Sequence, residues 1–115
     1  MDFEVVKALL QDCIYLEDTS ATIFGYKIHG TPWTKFHYGN AFQRQEEVLI
    51  EKWKLIPDDT DILISHSPPF GHGDEIAKVK GMKVGCPYLL DEVLNRVKPM
   101  YHLFGHIHEG YGVTT

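Results

Sequence analysis

Two apolar runs of closely matching pattern stand out in the second half of the chain. They are Asp61-Ile62-Leu63-Ile64-Ser65-His66 and Tyr101-His102-Leu103-Phe104-Gly105-His106. Each reads as a buried strand that ends in a small residue and then a histidine. If the two strands run parallel in one sheet, the loops that follow them open on the same edge, where open α/β folds collect ligands. The rest of the pattern surrounds this pair. Asp2 can cap a short helix with Phe3, Val6 and Leu10 on one face. Cys13 to Glu17 alternates as a strand, Asp18-Thr19-Ser20 supplies turn chemistry, and residues 22–28 return as a β segment bent at Gly25. An aromatic-rich loop fills 30–39. A helix is predicted from Arg44 to Ile56, with Leu49, Trp53 and Ile56 on one stripe and Pro57 ending it. After a Gly/Pro-rich loop over 66–85, Pro87 suits the first turn of another helix. Its stripe is Leu89, Leu90, Val93, Leu94 and Val97, with Arg96 and Lys98 placed to favour its C-terminal dipole before Pro99. Alternating helices and strands in this order predict an α/β fold with a parallel pair.

Bulk properties change this picture little. At 115 residues the chain is one small domain at most, and its 43% apolar content is that of a globular protein. A formal charge of −5 disfavours a nucleic-acid surface, which would need a basic stripe. The two cysteines, Cys13 and Cys86, lack Cys-x-x-Cys spacing and read as buried thiols of a reducing compartment in preference to a disulfide, in keeping with a cytoplasmic setting. No apolar run approaches the ~20 residues of a membrane span. The first residues lack the basic flank and apolar stretch of a signal peptide. Repeats and low-complexity segments are absent.

The chemistry sits in the histidines. His106 and His108 are two apart, and in an extended segment such residues share a face. Gly105 and Gly110 would let the backbone turn around them. With His66 at the end of the partner strand, three imidazoles are expected to converge, which suits a transition metal or zinc. Pro68-Pro69 would stiffen the loop behind His66. Asp74 could orient a ligand imidazole from behind, or it is a solvated loop carboxylate. His102 reads as a satisfied core imidazole that could prop the site, and Trp33 as a wall of the cleft or as simple packing. His29, His37 and His72 have no partner spacing and read as structural or exposed.

The segments Ser65-His66-Ser67-Pro68-Pro69 and Gly105-His106-Ile107-His108-Glu109-Gly110-Tyr111-Gly112 resemble the C-terminal half of a calcineurin-like metallophosphoesterase. Gly30-Thr31-Pro32-Trp33-Thr34, Lys52-Trp53-Lys54-Leu55-Ile56-Pro57 and Val84-Gly85-Cys86 narrow the resemblance to the metallophosphoesterase-domain-containing family. The resemblance implies a four-layer α/β/β/α sandwich, of which residues 1–115 would be the C-terminal portion of one domain, incomplete at both ends. It also implies two divalent transition metal ions (Mn, Fe or Zn), with His66 and His106 on one and His108 on the other. The ions would sit ~3.5–4 Å apart and activate a bridging hydroxide for attack on a phosphodiester, a cyclic nucleotide being the candidate. Glu109 has no ligand role in such a family. Departures are clear: the family's Asp-x-His, Gly-Asp-x-x-Asp and Gly-Asn-His motifs are missing, and Gly39-Asn40 is followed by Ala41. The chain alone is therefore expected to be inactive and marginally folded. Two rivals remain. One is a non-catalytic domain in which the three histidines hold a single structural or regulatory metal. The other is a metallo-β-lactamase-type hydrolase, disfavoured because Glu109-Gly110-Tyr111 follows the His pair.

Overall fold

A computed structural model describes residues 3–35, 39 and 41–115. The expected cap at Asp2 and the assignment of His37 lie outside these residues. In chain order the elements are α1 (Phe3–Ala8), β1 (Thr19–Ile23), β2 (Tyr26–Thr31), β3 (Thr34–Lys35), β4 (Gln43–Arg44), α2 (Glu46–Lys54), β5 (Ile62–Ser65), α3 (Pro87–Glu92) and β6 (Tyr101–Phe104). A wider helical turn with i→i+5 character, Val93–Val97, continues α3.

The fold is mixed α/β. Its main sheet has the order β1-β2-β5-β6, with β1 antiparallel to β2 and the other neighbours parallel. The two apolar runs are adjacent parallel strands, as the sequence predicts, in the register Leu63↔His102 and Ser65↔Phe104. β3 and β4 form a separate small parallel pair.

Alternation places His29, Leu63 and His102 on one face of the sheet. That face carries the core. Leu63 is buried with Leu49, Trp53 and Ile56 from α2 and its end, and with Cys86, Leu89 and Val97 from α3 and its continuation. The i, i+4, i+7 stripe of α2 is thus the packed stripe, and Trp53 is fully buried. On the opposite face Ile64, Tyr101 and Leu103 are exposed, and Leu16 lies over Gly30.

Three expectations are corrected. Cys13 to Glu17 is not a strand; the hairpin is β1–β2, closed by Phe24 and Gly25, both with positive φ. Two such residues match a two-residue turn whose twist suits antiparallel strands. α1 ends at Ala8, so Leu10 falls outside it and is exposed. Cys13 is exposed, while Cys86 is buried and accepts the Trp53 indole N–H at 3.3 Å. Arg96 lies in the last turn of the continuation of α3, as expected, and also donates to the carbonyls of Trp53 (3.0 Å) and Ile56 (2.7 Å) at the end of α2. No helix among the described residues is long and apolar enough to cross a membrane.

Candidate metal centre

The parallel β5–β6 ladder delivers both strand ends to the same edge. Past the last strand residues the ladder continues by one bond, the Gly105 N–H donating to the His66 carbonyl at 3.3 Å. His66 also donates its own N–H to Thr31 of β2 at 3.3 Å. The backbone at His66 is therefore anchored to both neighbouring strands. Pro68 and Pro69 are buried behind it, and the Cys86 N–H donates to the Pro68 carbonyl.

The imidazoles of His66 and His106 meet there, ring centres 4.6 Å apart and planes tilted by 59°. Both side chains are exposed. With nitrogen ~2.0–2.1 Å from an ion, two imidazoles on one metal place their ring centres roughly 4.5–5.2 Å apart. The pair therefore fits a share of one metal's coordination. It does not fit a whole site: among the described residues no three His, Cys, Asp or Glu side chains gather as a metal-binding group. The expected convergence of three imidazoles reduces to two, with His108 outside the group.

The route by which His106 reaches His66 differs from the extended segment expected. His106 has φ +73, and the Ile107 N–H donates to the Gly105 carbonyl at 2.9 Å across it. This is a three-residue turn with positive φ at its centre, the rare and strained form. A non-glycine residue held there costs on the order of 1–3 kcal/mol, and such strain clusters at functional sites. His108 then opens a single 3₁₀ turn, His108–Gly110. Gly105 has no positive φ and open space around its α-carbon, so the freedom expected of it is carried by His106 instead.

The 105–112 loop leans on the 71–85 loop. Glu109 accepts the Ala77 N–H at 2.7 Å, a bond that holds its carboxyl below the usual carboxylate range. A Cβ on Gly110 would collide with the Gly73 carbonyl, so the two backbones touch directly. Asp74 is only 2% exposed, not solvated. Its Oδ2 accepts the N–H groups of Gly71 and Gly85, both at 2.9 Å, so it ties the 71–85 loop closed; among the described residues no imidazole is a hydrogen-bond partner of it.

His102 is half satisfied. Its Nε2 lies 2.7 Å from the Ser65 hydroxyl, which is also 2.7 Å from the Ser67 carbonyl. Its Nδ1 is buried without a partner. Burial, aided by His72, lowers its pKa to about 4. His29 is buried and meets Ser20 Oγ at 2.8 Å through Nδ1, and burial lowers its pKa as well. His72 is half-buried and bonds Thr114 at 2.8 Å. Trp33 is buried in the core cluster, its N–H donating to Asp18 at 2.7 Å and its ring beneath Arg44 and Lys52. The Ser65 and Glu109 contacts leave no local mark in the residue pattern, because their partners are 37 and 32 residues away.

Comparison with known proteins supplies the context. Metallophosphoesterase domain-containing protein 1 of Homo sapiens is 50% identical over 113 residues, covering 97% of this chain and 34% of its own length. The Mus musculus protein of the same name gives the same values. UPF0046 protein T07D4.2 of Caenorhabditis elegans is 49% identical over 110 residues, 95% of this chain and 27% of its own length. The chain thus spans about a third of the length of these relatives. No family model matches it.

Proposed function

This chain is a relative of the metallophosphoesterase domain-containing proteins, and from that premise we propose that it carries part of a divalent-metal phosphoesterase centre. The observation that supports this most directly is the His66–His106 pair, 4.6 Å apart at the ends of adjacent parallel strands. In this reading both hold one ion through neutral imidazole nitrogens, and His108 serves the second. Mixed imidazole and oxygen ligation suits Mn, Fe or Zn. The substrate is a phosphodiester, with cyclic nucleotides the candidate class, and the surrounding architecture is a four-layer sandwich.

The roles of the chain's own residues follow from their placement. His66 has its backbone fixed by the ladder on both sides, so the position of its Cα at the sheet edge is set before a ligand arrives. His106 is aimed by its strained turn. Ser65 and His102 keep the end of β5 in place from the core side. When bound, the metal supplies a Lewis acid that withdraws charge from a phosphoryl oxygen. This chain lacks the Asp-x-His, Gly-Asp-x-x-Asp and Gly-Asn-His motifs, so it offers imidazoles but not the bridging carboxylate of a two-metal site.

A second reading, a non-catalytic domain with one histidine-bound metal, is favoured by the pairing of two imidazoles with no larger donor group among the described residues. Titration calorimetry with Zn²⁺ and Mn²⁺ tests both. A phosphoesterase site requires binding that His66→Ala and His106→Ala each weaken, that His72→Ala spares, and a second, weaker ion sensitive to His108→Ala. One ion per chain indifferent to His108 supports the structural metal. Binding indifferent to His66 and His106 ends both readings.

A further inference from the structure

We infer that Glu109 is the positioning residue of the metal pair: its carboxylate, fastened to the Ala77 N–H, braces the strained turn that aims His106 at His66. The inference rests on the metal-site reading above and concerns a residue for which that reading has no use.

His106 occupies a backbone conformation that a non-glycine side chain avoids. Left alone, the 105–110 segment would relax toward an extended path and carry the imidazole away from His66. Something outside the segment has to oppose that relaxation. Within the segment, the Ile107 and Gly110 N–H groups close consecutive small turns on Gly105 and Ile107. These bonds are local: they shape the turn but tie it to nothing outside the segment. Among the described residues, two backbone-anchoring contacts that leave the segment lie at its ends. Gly105 is bound to the His66 carbonyl at the near end. At the far end Glu109 reaches Ala77 at 2.7 Å, a charge-assisted bond, and Gly110 abuts Gly73.

The receiving side is itself built to be firm. Asp74 gathers Gly71 and Gly85, the Val84 N–H returns to the Asp74 carbonyl, and the backbones of Glu75 and Lys83 form an antiparallel bridge across the loop. Ala77 therefore presents its N–H from a cross-linked hairpin. The segment that carries His106 runs from a fixed strand end to this hairpin, and the Glu109 side chain ties its far end to the hairpin.

Two measurements on the purified chain test this: Zn²⁺ affinity by calorimetry, and the ring-to-ring nuclear Overhauser effect between His66 and His106. Glu109→Ala should lower Zn²⁺ affinity ~10-fold or more, as loss of a group supporting a ligand does, and should remove the ring-to-ring signal. Glu109→Gln keeps an acceptor oxygen and should restore both to within a few-fold of the original chain. Ala77→Pro removes the donor and should reproduce Glu109→Ala, with no added loss when the two are combined. A purely structural role would lower the melting temperature without this Gln rescue of the ring signal. If Glu109→Ala retains the ring signal and the Zn²⁺ affinity, the brace is refuted, while His106→Ala still reports on the metal site. If the unaltered chain binds no Zn²⁺ through His66 and His106, the metal reading fails. The ring signal then decides alone: its loss in Glu109→Ala upholds the brace, and its persistence refutes it.

Discussion

Across the β5–β6 pair, the Ser65 hydroxyl stands between His102 Nε2 and the Ser67 carbonyl, 2.7 Å from each. The hydroxyl has one proton, and the carbonyl can only accept it, so Ser65 accepts from an Nε2–H of His102. The buried Nδ1 is then a bare lone pair, and protonating it would place a charge where no partner waits. This explains the fall of its pKa to about 4. A histidine so depressed binds its proton more readily in the unfolded chain. Its contribution to stability is complete above pH ~6.5 and is lost as pH falls from there toward 4. The loss is roughly 2–3 kcal/mol. His29, also lowered, adds in the same direction. Urea titrations between pH 4 and pH 7.5 should show this slope, and His102→Gln should flatten it. A slope unchanged in that variant would assign the acid sensitivity elsewhere.

The glycines of the histidine loop should separate under substitution. Gly110→Ala drives a methyl into the Gly73 carbonyl and should cost about 1–3 kcal/mol, as overpacking does. Gly105→Ala meets nothing within 4 Å and should stay within ~0.5 kcal/mol of the parent. Equal effects of the two in thermal unfolding would contradict the loop-to-loop contact.

Asp18 should matter to stability more than its place in a loop suggests. It has φ +55 and accepts from Trp33 Nε1 at 2.7 Å and Thr31 Oγ1 at 3.1 Å, with Lys52 at 3.3 Å. Asp18→Ala leaves the buried indole N–H and a cation without their partner, at roughly 2–3 kcal/mol. Asp18→Asn keeps one acceptor oxygen and should recover about half of that in chemical denaturation.

Given excess Mn²⁺, the chain by itself should not hydrolyse bis-p-nitrophenyl phosphate above the metal-only background. Its described residues hold two gathered imidazoles and no bridging carboxylate beside them. Turnover by a highly pure sample that disappears in His106→Ala would show that some residue here replaces the missing ligands.

What the sequence revealed and what it concealed follow from how each feature is encoded. β5 and β6 were legible because an apolar run between polar flanks has few other uses, and their common edge followed from parallel pairing. The α2 stripe was legible because Leu49, Trp53 and Ile56 repeat at helical spacing and fill the core. β1 was misplaced because Thr19, Ser20 and Thr22 form an edge strand with little burial, and their composition is also that of a turn. The turn itself fell on Phe24, a residue type that rarely takes positive φ. At the site, the meeting of His66 and His106 could be read from two strand ends. The turn that aims His106 could not, because no local residue type signals positive φ at a histidine, and the contacts at its far end reach residues more than thirty positions away.

The wider turn that continues α3 has a consequence for chain length. One residue more per ring than in an α-helix delays every later side chain around the axis. It is in that delayed phase that Arg96 meets the closing carbonyls of α2 and, with Asp58 and Glu92, ties the two helices together. Deleting a single residue between Val93 and Val97 would leave polarity and apolar content almost unchanged. It would nevertheless swing the guanidinium off its partners and unstitch one helix from the other. In this stretch the number of residues, as much as their kind, is what the fold measures.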